Sequence, residues 1–388
     1  MTLVGTGWAA ALAGDVRANA AYRLRRLDSL PERYRRSLEA VGVDTEAVVG
    51  ILVAHLDSGL PGKVVDAAAA DLFASLERPG RPPAGFVDRL PELVLDGVLE
   101  VEGPTGFVSG PLAYQALRPD PGARIAQDRL GRLSQAGLEY AERLRLPSPD
   151  GLTARLYAYG RIPFSSRWRR AYPDRAAVLG LLPRRVMARR WLGPSTGDGS
   201  HWLFWSWRDA PPGEPPAAFP YKLYVSPRTE ELPDALPAVV EALTASGAPR
   251  FKVGAEARGL VRPDKIVVYL RDVHETNTVA GALGAALAGV AAHGVPFSAE
   301  LAGGGVFSWG GDPPREAAPI GRRSESWRLS VCRRLAEGLV AAQRAPLSDA
   351  RPLDFALARL AVDGVDIRSF SPAGLEAPAH PSREAVRA

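Results

Sequence analysis

The fold is decided by residues 221–269, which contain Tyr221-Lys222-Leu223-Tyr224-Val225, then Arg250-Phe251-Lys252-Val253-Gly254, then Arg262-Pro263-Asp264-Lys265-Ile266-Val267-Val268-Tyr269. These stretches hold three of the four lysines of the chain, while the other 44 basic residues are arginines. Arginine keeps its proton near neutral pH, whereas a lysine amine can lose it. A lysine in this arginine-rich chain therefore indicates a general base or a compact positive charge that faces a phosphate.

Side-chain alternation in these stretches predicts three β-strands, at 221–226, 251–253 and 265–270. In the first strand, Lys222 and Tyr224 share one face. In the third, Lys265, Val267 and Tyr269 share one. A helix over 227–246 separates the first two strands, with Thr229 as its cap and Gly247 after its last turn. The pattern predicts a mixed α+β domain with its cations on one wall.

The N-terminal part of the chain has a different pattern. Apolar residues at helical spacing predict helices over residues 6–56. Alternation on either side of Gly103-Pro104-Thr105-Gly106 predicts a β-hairpin around 98–108. The predicted fold class is therefore α+β: a helical N-terminal region with a small β-hairpin, followed by a mixed α+β domain with a central sheet.

Turn-forming residues suggest where domains begin and end. The helix-breaking stretch Pro119-Asp120-Pro121-Gly122 predicts a boundary between a domain at 1–119 and one at 120–371. The polar, Pro- and Ala-rich residues 372–388 predict a disordered tail. Residues 202–207 are expected to form a short aromatic strand. Further helices are expected at 123–144, 172–192, 276–292 and 324–342.

Composition excludes several classes of protein. One cysteine excludes a disulfide framework and a thiolate-rich metal site, and it favours the cytoplasm. No stretch reaches the ~20 apolar residues that span a bilayer. A net charge of +5 favours an acidic partner, but the 43 acidic residues are spread among the basic ones, which argues against nucleic-acid binding.

The chemistry-bearing residues point to a site without metal or cofactor. The five histidines have no paired ligand spacing, and no Gly-x-Ser-x-Gly nucleophile motif occurs. The remaining Lys, Arg and Tyr side chains suit a phosphorylated substrate, because arginines bind phosphate in a fork and a lysine among cations shifts toward its neutral form. Tyr157, Tyr159 and Arg161 line a cleft, or else the two tyrosines belong to the core.

The order of the three lysine stretches resembles that of the HopA-type effector family. The resemblance includes Gly294-Val295-Pro296-Phe297 and the helix Cys332-Arg333-Arg334-Leu335-Ala336-Glu337, and it covers roughly residues 150–345. Bacterial relatives in this family act as lyases in class V lanthipeptide and thioamitide biosynthesis. The resemblance implies a lyase-like domain that eliminates phosphate from phosphoserine or phosphothreonine in a precursor peptide, without cofactor and with a separate peptide kinase as partner.

The resemblance also implies roles for individual residues. Lys252 takes the place of the base that removes the α proton, and Lys222 that of a phosphate-binding lysine. Tyr224 stands where the family has a histidine that assists the leaving group, and its reference pKa of about 10 makes it a weak acid. The remaining predicted phosphate contacts are Arg262, Arg333, Tyr269 and Lys265. Arg258 and Arg228 are alternates, and Asp264 can instead pair with Lys265 to hold the wall.

Two alternatives stay open at the level of sequence. The chain can be a phosphopeptide-binding partner of a kinase with no catalytic activity of its own. The three lysines can also be ordinary surface residues of strands, with Tyr224 and Tyr269 as core aromatics. Loss of phosphoric acid from a phosphorylated peptide distinguishes the lyase from both.

Overall fold

The structure is a computed structural model that describes residues 13–32, 35–36, 38, 48–54, 63–83, 89–117, 125–195, 201–209, 219–301, 304–313 and 325–379. The chain divides into two compact units that interleave in sequence. Unit 1 comprises Met1–Ala123, Ala141–Ala154 and Pro313–Val365, and unit 2 comprises Arg124–Tyr140, Arg155–Asp312 and Asp366–Ala388. The domains 1–119 and 120–371 stay a prediction, and residues 119–122 lie outside the described residues.

The described strands follow one another along the chain as β1 Val16–Ala18, β2 Tyr22–Arg26, β3 Gly50–Ala54, β4 Lys63–Val65, β5 Leu99–Gly103, β6 Gly106–Val108, β7 Trp191–Ser195, β8 Trp202–Trp207, β9 Tyr221–Val225, β10 Arg250–Gly254, β11 Ile266–Leu270, β12 Ala299–Glu300, β13 Phe307–Gly311, β14 Val365–Asp366 and β15 Ser371–Pro372. Most have three to six residues. Such short strands depend on their sheet neighbours for stability.

The described α-helices are α1 Ala67–Ser75, α2 Leu90–Leu95, α3 Gly110–Leu117, α4 Arg129–Leu144, α5 Pro149–Ala158, α6 Ser166–Ala171, α7 Arg175–Leu179, α8 Arg184–Arg190, α9 Leu232–Ala245, α10 Ala257–Leu260, α11 Val273–Ala286, α12 Trp327–Arg344 and α13 Pro352–Val362. None of the helices in the described ranges is long and apolar enough to cross a membrane. Helices and antiparallel sheets in one chain confirm the predicted α+β class.

Two three-stranded antiparallel sheets lie in unit 1. Their strand orders are β1-β5-β6 and β2-β3-β4. The predicted hairpin is confirmed: Gly103 pairs with Gly106, and the left-handed φ of Gly106, +125°, is a conformation that suits glycine. The hairpin forms because its two central residues, Pro104 and Thr105, close the turn.

The prediction of helices over 6–56 is wrong where β1, β2 and β3 lie in that range. Val16 is fully buried in β1 and pairs with Val101 of β5. Leu52 is fully buried in β3 and pairs with Leu24 of β2. A strand of three to five residues has too few positions for its period to be recognised, so a helical spacing of apolar residues misled the prediction.

A cluster of largely buried ion pairs links three elements of unit 1, β4, α2 and α13. Lys63 donates to Glu92 at 2.9 Å and also contacts Asp96, which accepts from Arg359. Arg359 also donates to Asp363 at 2.6 Å. Burial and the charge of Arg359 lower the pKa of Lys63 to about 8, against the opposing effect of Glu92. The fourth lysine of the chain therefore has a structural environment of paired charges.

A seven-stranded antiparallel sheet is the central element of unit 2, in the order β12-β13-β9-β11-β10-β8-β7. One face of the sheet packs on α9 and α11 and forms the core, with Leu223, Phe251, Val268 and Trp205 buried there. The predicted strands at 221–226, 251–253 and 265–270 are confirmed as β9, β10 and β11. The strand predicted at 202–207 is confirmed as β8.

The predicted helices also have counterparts in the structure. The predictions over 227–246, 276–292 and 324–342 correspond to α9, α11 and α12, with ends shifted by a few residues. The predicted helix over 172–192 is instead two short helices, α7 and α8, followed by β7. Pro183 separates the two helices, because proline lacks the backbone donor that a continuous helix needs.

The predicted disordered tail is only partly covered by the structure. The Tyr221 hydroxyl donates to the Glu376 carbonyl at 3.2 Å, and the Ala379 amide donates to Asn277 Oδ1 at 2.8 Å. Residues 380–388 lie outside the described residues, so the tail as a whole stays a prediction.

Candidate functional site

The predicted site residues of unit 2 share one face of the central sheet. Tyr269 lies opposite Lys222 on β9 and opposite Arg250 on β10. One row further along, Lys252 lies opposite Val267, which lies opposite Tyr224. Because directly paired residues of an antiparallel sheet project to the same side, this face carries the lysines and tyrosines while the other face forms the core. We call it the lysine face.

Lys252 is surrounded by aromatic rings. Its Nζ lies 4.4 Å from the ring centroid of Trp202, 5.4 Å from that of Tyr269 and 5.5 Å from that of Phe204. Trp202 and Phe204 are on β8, and Phe204 lies directly opposite Lys252 in the sheet. The rings hold the amine in position and remove much of its surface from water.

The charge of Lys252 is disfavoured by this environment. Burial lowers the pKa of Lys252 to about 8, and the positive charges of Lys222 and Arg262 act in the same direction. The carboxylates of Asp264 and Asp312 oppose the shift. At pH 7 a pKa of about 8 leaves roughly a tenth of the amine neutral, far more than in an ordinary lysine. Lys252 can therefore accept a proton near neutral pH.

Lys222 is buried and paired. Its Nζ lies 5.1 Å from the Tyr269 ring centroid and forms an ion pair with Asp312, the residue that follows β13. The Asp312 side chain is partly exposed, whereas that of Lys222 is 7% exposed. Burial, with the charge of Asp312, raises the pKa of Tyr269. The hydroxyl of Tyr269 therefore stays protonated and can serve only as a hydrogen-bonding group at neutral pH.

Arg262 forms the second cationic position of the site. It donates to both carboxylate oxygens of Asp264, at 2.8 and 2.9 Å, and to the Tyr157 hydroxyl at 2.7 Å. Its guanidinium carbon lies 4.9 Å from the Trp202 ring centroid. Burial disfavours the charge, but the hydrogen bonds and charge of Asp264 outweigh it and raise the pKa of Arg262. Trp202 therefore lies beside two cations, Lys252 and Arg262.

Lys265 has partners of its own that the other cations of the site do not share. Its Nζ is buried and donates to the Pro227 carbonyl at 2.9 Å, and it lies 2.8 Å from His293 Nδ1. His293 Nε2 lies 2.6 Å from the Gly160 carbonyl, an acceptor only, so that Nε2 carries the proton and Nδ1 accepts from Lys265. Burial lowers the pKa of Lys265 to about 7. This geometry favours the structural alternative for Lys265.

We expect Lys265→Met to lower the free energy of unfolding by about 1–3 kcal/mol, because the buried Pro227 carbonyl and His293 lose their donor. Because the pKa of Lys265 is lowered in the folded protein, the unfolded chain binds more protons than the folded protein does above pH 7. The contribution of Lys265 to stability therefore rises between about pH 7 and the ordinary pKa of a lysine. Urea unfolding should therefore show a larger loss at pH 9 than at pH 7. Lys252→Met is the control and should lose less; equal losses would contradict the structural role.

Tyr224 lies in the interior on the lysine face. It is 3% exposed, and its neighbours across the sheet are Val267 and Ser308. Ser308 Oγ accepts from Ser298 Oγ at 2.8 Å. Tyr224 is therefore placed on the same surface as Lys222 and Lys252, and its role as a proton donor stays a prediction.

Arg333 belongs to unit 1, on α12. Its side chain is 2% exposed and donates to Glu325 at 2.7 Å and to Glu337 at 3.0 Å. The Arg333 guanidinium is therefore buried and paired with two carboxylates. Its predicted contact with phosphate stays a prediction. The alternate Arg228 is exposed just after β9.

Sequence reasoning missed three contributors to the site. Trp202 and Phe204 were recognised only as part of an aromatic strand, and their approach to Lys252 depends on the pairing of β8 with β10. Asp312 follows a glycine-rich stretch that has no motif of its own. Tyr157 accepts a hydrogen bond from Arg262, and its predicted place in a cleft stays a prediction. No group of three or more metal-ligating side chains occurs in the described ranges.

The fold and the site together define an α+β protein whose central antiparallel sheet carries a lysine- and arginine-lined site suited to an anionic ligand. Residues 206–370, somewhat less than half of the chain, match the HopA1 effector protein family. The match confirms the HopA-type resemblance of the sequence. It covers β9, β10 and β11 with Lys222, Tyr224, Lys252 and Tyr269, and it begins after Trp202 and Phe204.

Two solved structures of effector proteins from Pseudomonas syringae are similar to the chain. One, from pathovar tomato strain DC3000, is 12% identical with a TM-score of 0.37, covering 62% of this chain and 96% of that one. The other, from pathovar syringae strain 61, is 12% identical with a TM-score of 0.38, covering 64% and 98%. No curated protein sequence matches the chain.

Proposed function

We propose that this protein is a cofactor-independent lyase that eliminates phosphate from phosphoserine or phosphothreonine in a ribosomally made precursor peptide. The product is dehydroalanine or dehydrobutyrine, as in class V lanthipeptide or thioamitide biosynthesis. The observation that carries the proposal is the position of Lys252: an amine with a pKa of about 8 on the same sheet face as Lys222, with Arg262 beside it.

The reaction requires a base and an anion site. Neutral Lys252 takes the α proton of the phosphorylated residue and becomes an ammonium. The C–H electron pair forms the Cα–Cβ double bond, the Cβ–O bond breaks, and phosphate departs with the electron pair of the Cβ–O bond. Tyr224, in the position of the family's histidine, gives a proton to the departing phosphate. The step uses no metal or cofactor.

Phosphate binding falls to Lys222 and Arg262. A phosphate dianion has twice the charge of the Asp312 carboxylate that pairs with Lys222, so it competes for the same ammonium. The bound dianion also raises the pKa of Lys252. Burial by the three aromatic rings, together with the positive charges of Lys222 and Arg262, opposes that effect.

The proposed substrate needs a second enzyme, because serine and threonine are not phosphorylated when a peptide is made. We therefore propose a separate peptide kinase as the partner. With one cysteine in the chain, a reducing compartment such as the cytoplasm suits this pathway step.

Incubation of the protein with phosphoserine and phosphothreonine peptides, followed by mass spectrometry, tests the proposal. We expect the peptide to lose phosphoric acid and to gain a dehydroamino acid that reacts with an added thiol. A peptide whose serine or threonine residue has regained its hydroxyl group would identify a phosphatase. Binding of the phosphopeptide without a change of mass would favour the alternative, a phosphopeptide-binding partner of a kinase.

A further inference from the structure

Positive charge is concentrated in one part of the chain. Residues 161–209 contain ten arginines and three aspartates, a net charge of +7, whereas the whole chain has +5. The remainder is therefore slightly acidic. All ten arginines lie in the described part of this segment, and all are exposed. We call these ten side chains the arginine surface.

The exposure of the arginine surface follows from how its helices pack. Trp168 of α6 and Val178 of α7 are buried in the core of unit 2, and Val186 and Met187 of α8 pack against that core while partly exposed. Eight of the ten arginines lie on these three helices with their side chains exposed, while Arg161 precedes α6 and Arg208 follows β8. Of the two aspartates in the described part of the segment, Asp174 already caps α7 by accepting from the Ala177 amide at 3.0 Å. The surface therefore keeps a large excess of positive charge.

The arginine surface continues toward the lysine face. The Phe164 ring contacts two arginines, Arg169 of α6 and Arg258 of α10. The guanidinium carbon of each lies 5.2 Å from the ring centroid. Arg258 is exposed and lies one helical turn before Arg262. Arg258 therefore connects Arg262, the proposed phosphate-binding arginine, with the arginines of α6.

We propose that the arginine surface docks an acidic segment of the precursor peptide, rich in aspartate or glutamate, next to the phosphorylated residue. The inference rests on the proposed function: a peptide whose phosphate binds at Arg262 can extend past Arg258 toward α6. Guanidinium groups bind carboxylates in a fork, which suits such a segment.

The same surface is poorly suited to single-stranded nucleic acid. Stacking of bases needs open aromatic faces. Trp168 and Tyr172 are buried, and Phe164 already contacts two guanidinium groups. An acidic peptide needs only the charges, which the surface supplies.

The test uses the full chain and a fluorescent peptide that contains a run of glutamates and no phosphate. In fluorescence anisotropy we expect Arg184→Gln, Arg185→Gln and Arg189→Gln together, on α8, to weaken binding about tenfold, as for three exposed ion pairs. The matched control removes three exposed arginines of β2, Arg23, Arg25 and Arg26, and should bind like the unaltered protein. Circular dichroism establishes that both variants fold; if the first does not, Arg167→Gln with Arg170→Gln replaces it.

Unchanged binding by the α8 variant, or an equal loss in the β2 control, would overturn the docking surface. Tighter binding of a single-stranded RNA of equal charge, or of phosphatidylserine vesicles, would assign the surface to another partner and overturn it as well. The two proposals fail separately. If the α8 variant binds the glutamate peptide more weakly but the unaltered protein eliminates no phosphate, only the lyase proposal is refuted. If the protein eliminates phosphate but the α8 variant binds the glutamate peptide normally, only the docking surface is refuted.

Discussion

Lys252→Ala is expected to reduce elimination of phosphate by a factor of about 10²–10⁴, the usual contribution of a positioned general base. Binding of the phosphopeptide should persist, because Lys222 and Arg262 remain on their own strand and loop. The measurement is the rate of phosphoric acid loss by mass spectrometry, beside the dissociation constant of the phosphopeptide.

Lys252→Arg is the variant that separates a base from a positive charge. Arginine keeps the charge and much of the length, but it does not release its proton near neutral pH. If Lys252 acts as a base, Lys252→Arg is as inactive as Lys252→Ala. Substantial turnover by either variant would refute the assignment of Lys252 as the base, and recovery in the arginine variant alone would indicate a purely electrostatic role.

The lysine face itself could be predicted from the sequence, because strand parity is local. Lys222 and Tyr224 alternate with Leu223 and Val225, and the structure buries that second pair in the core. The same reasoning failed for β1, which has only three residues and is stabilised by pairing with β5, more than eighty positions away. Where a strand is short, its partner decides the structure, and its own pattern does not.

The environment of each cation could not be predicted, because it depends on contacts between distant strands. The aromatic rings reach Lys252 through the pairing of β8 and β10, and Asp312 reaches Lys222 through the pairing of β13 and β9. From sequence, Lys265 is either a phosphate contact or a structural partner of Asp264. Its partners in the structure are Pro227 and His293. Pro227 precedes α9 and His293 follows α11, so neither is close to Lys265 in the chain.

Two substitutions should move the pKa of Lys252 in opposite directions. Lys222→Met removes a positive charge that lowers this pKa and leaves Asp312 uncompensated, so the pKa should rise. Asp312→Asn removes a negative charge that raises it, so the pKa should fall. The measurement is the rate of acetylation of the Lys252 amine against pH in the free protein, followed by peptide mass spectrometry, since only the neutral amine reacts.

Lys63 is the internal control in the same samples. Its pKa is also lowered to about 8, but by burial in the ion-pair cluster of unit 1, which neither substitution alters. Its midpoint should therefore stay constant while that of Lys252 moves. A Lys252 midpoint at the ordinary lysine value in the unaltered protein, or shifts of the same sign in both variants, would remove the electrostatic basis of the proposed base. Opposite shifts would show that Lys222 and Asp312 together set how much neutral amine is present before a phosphate binds.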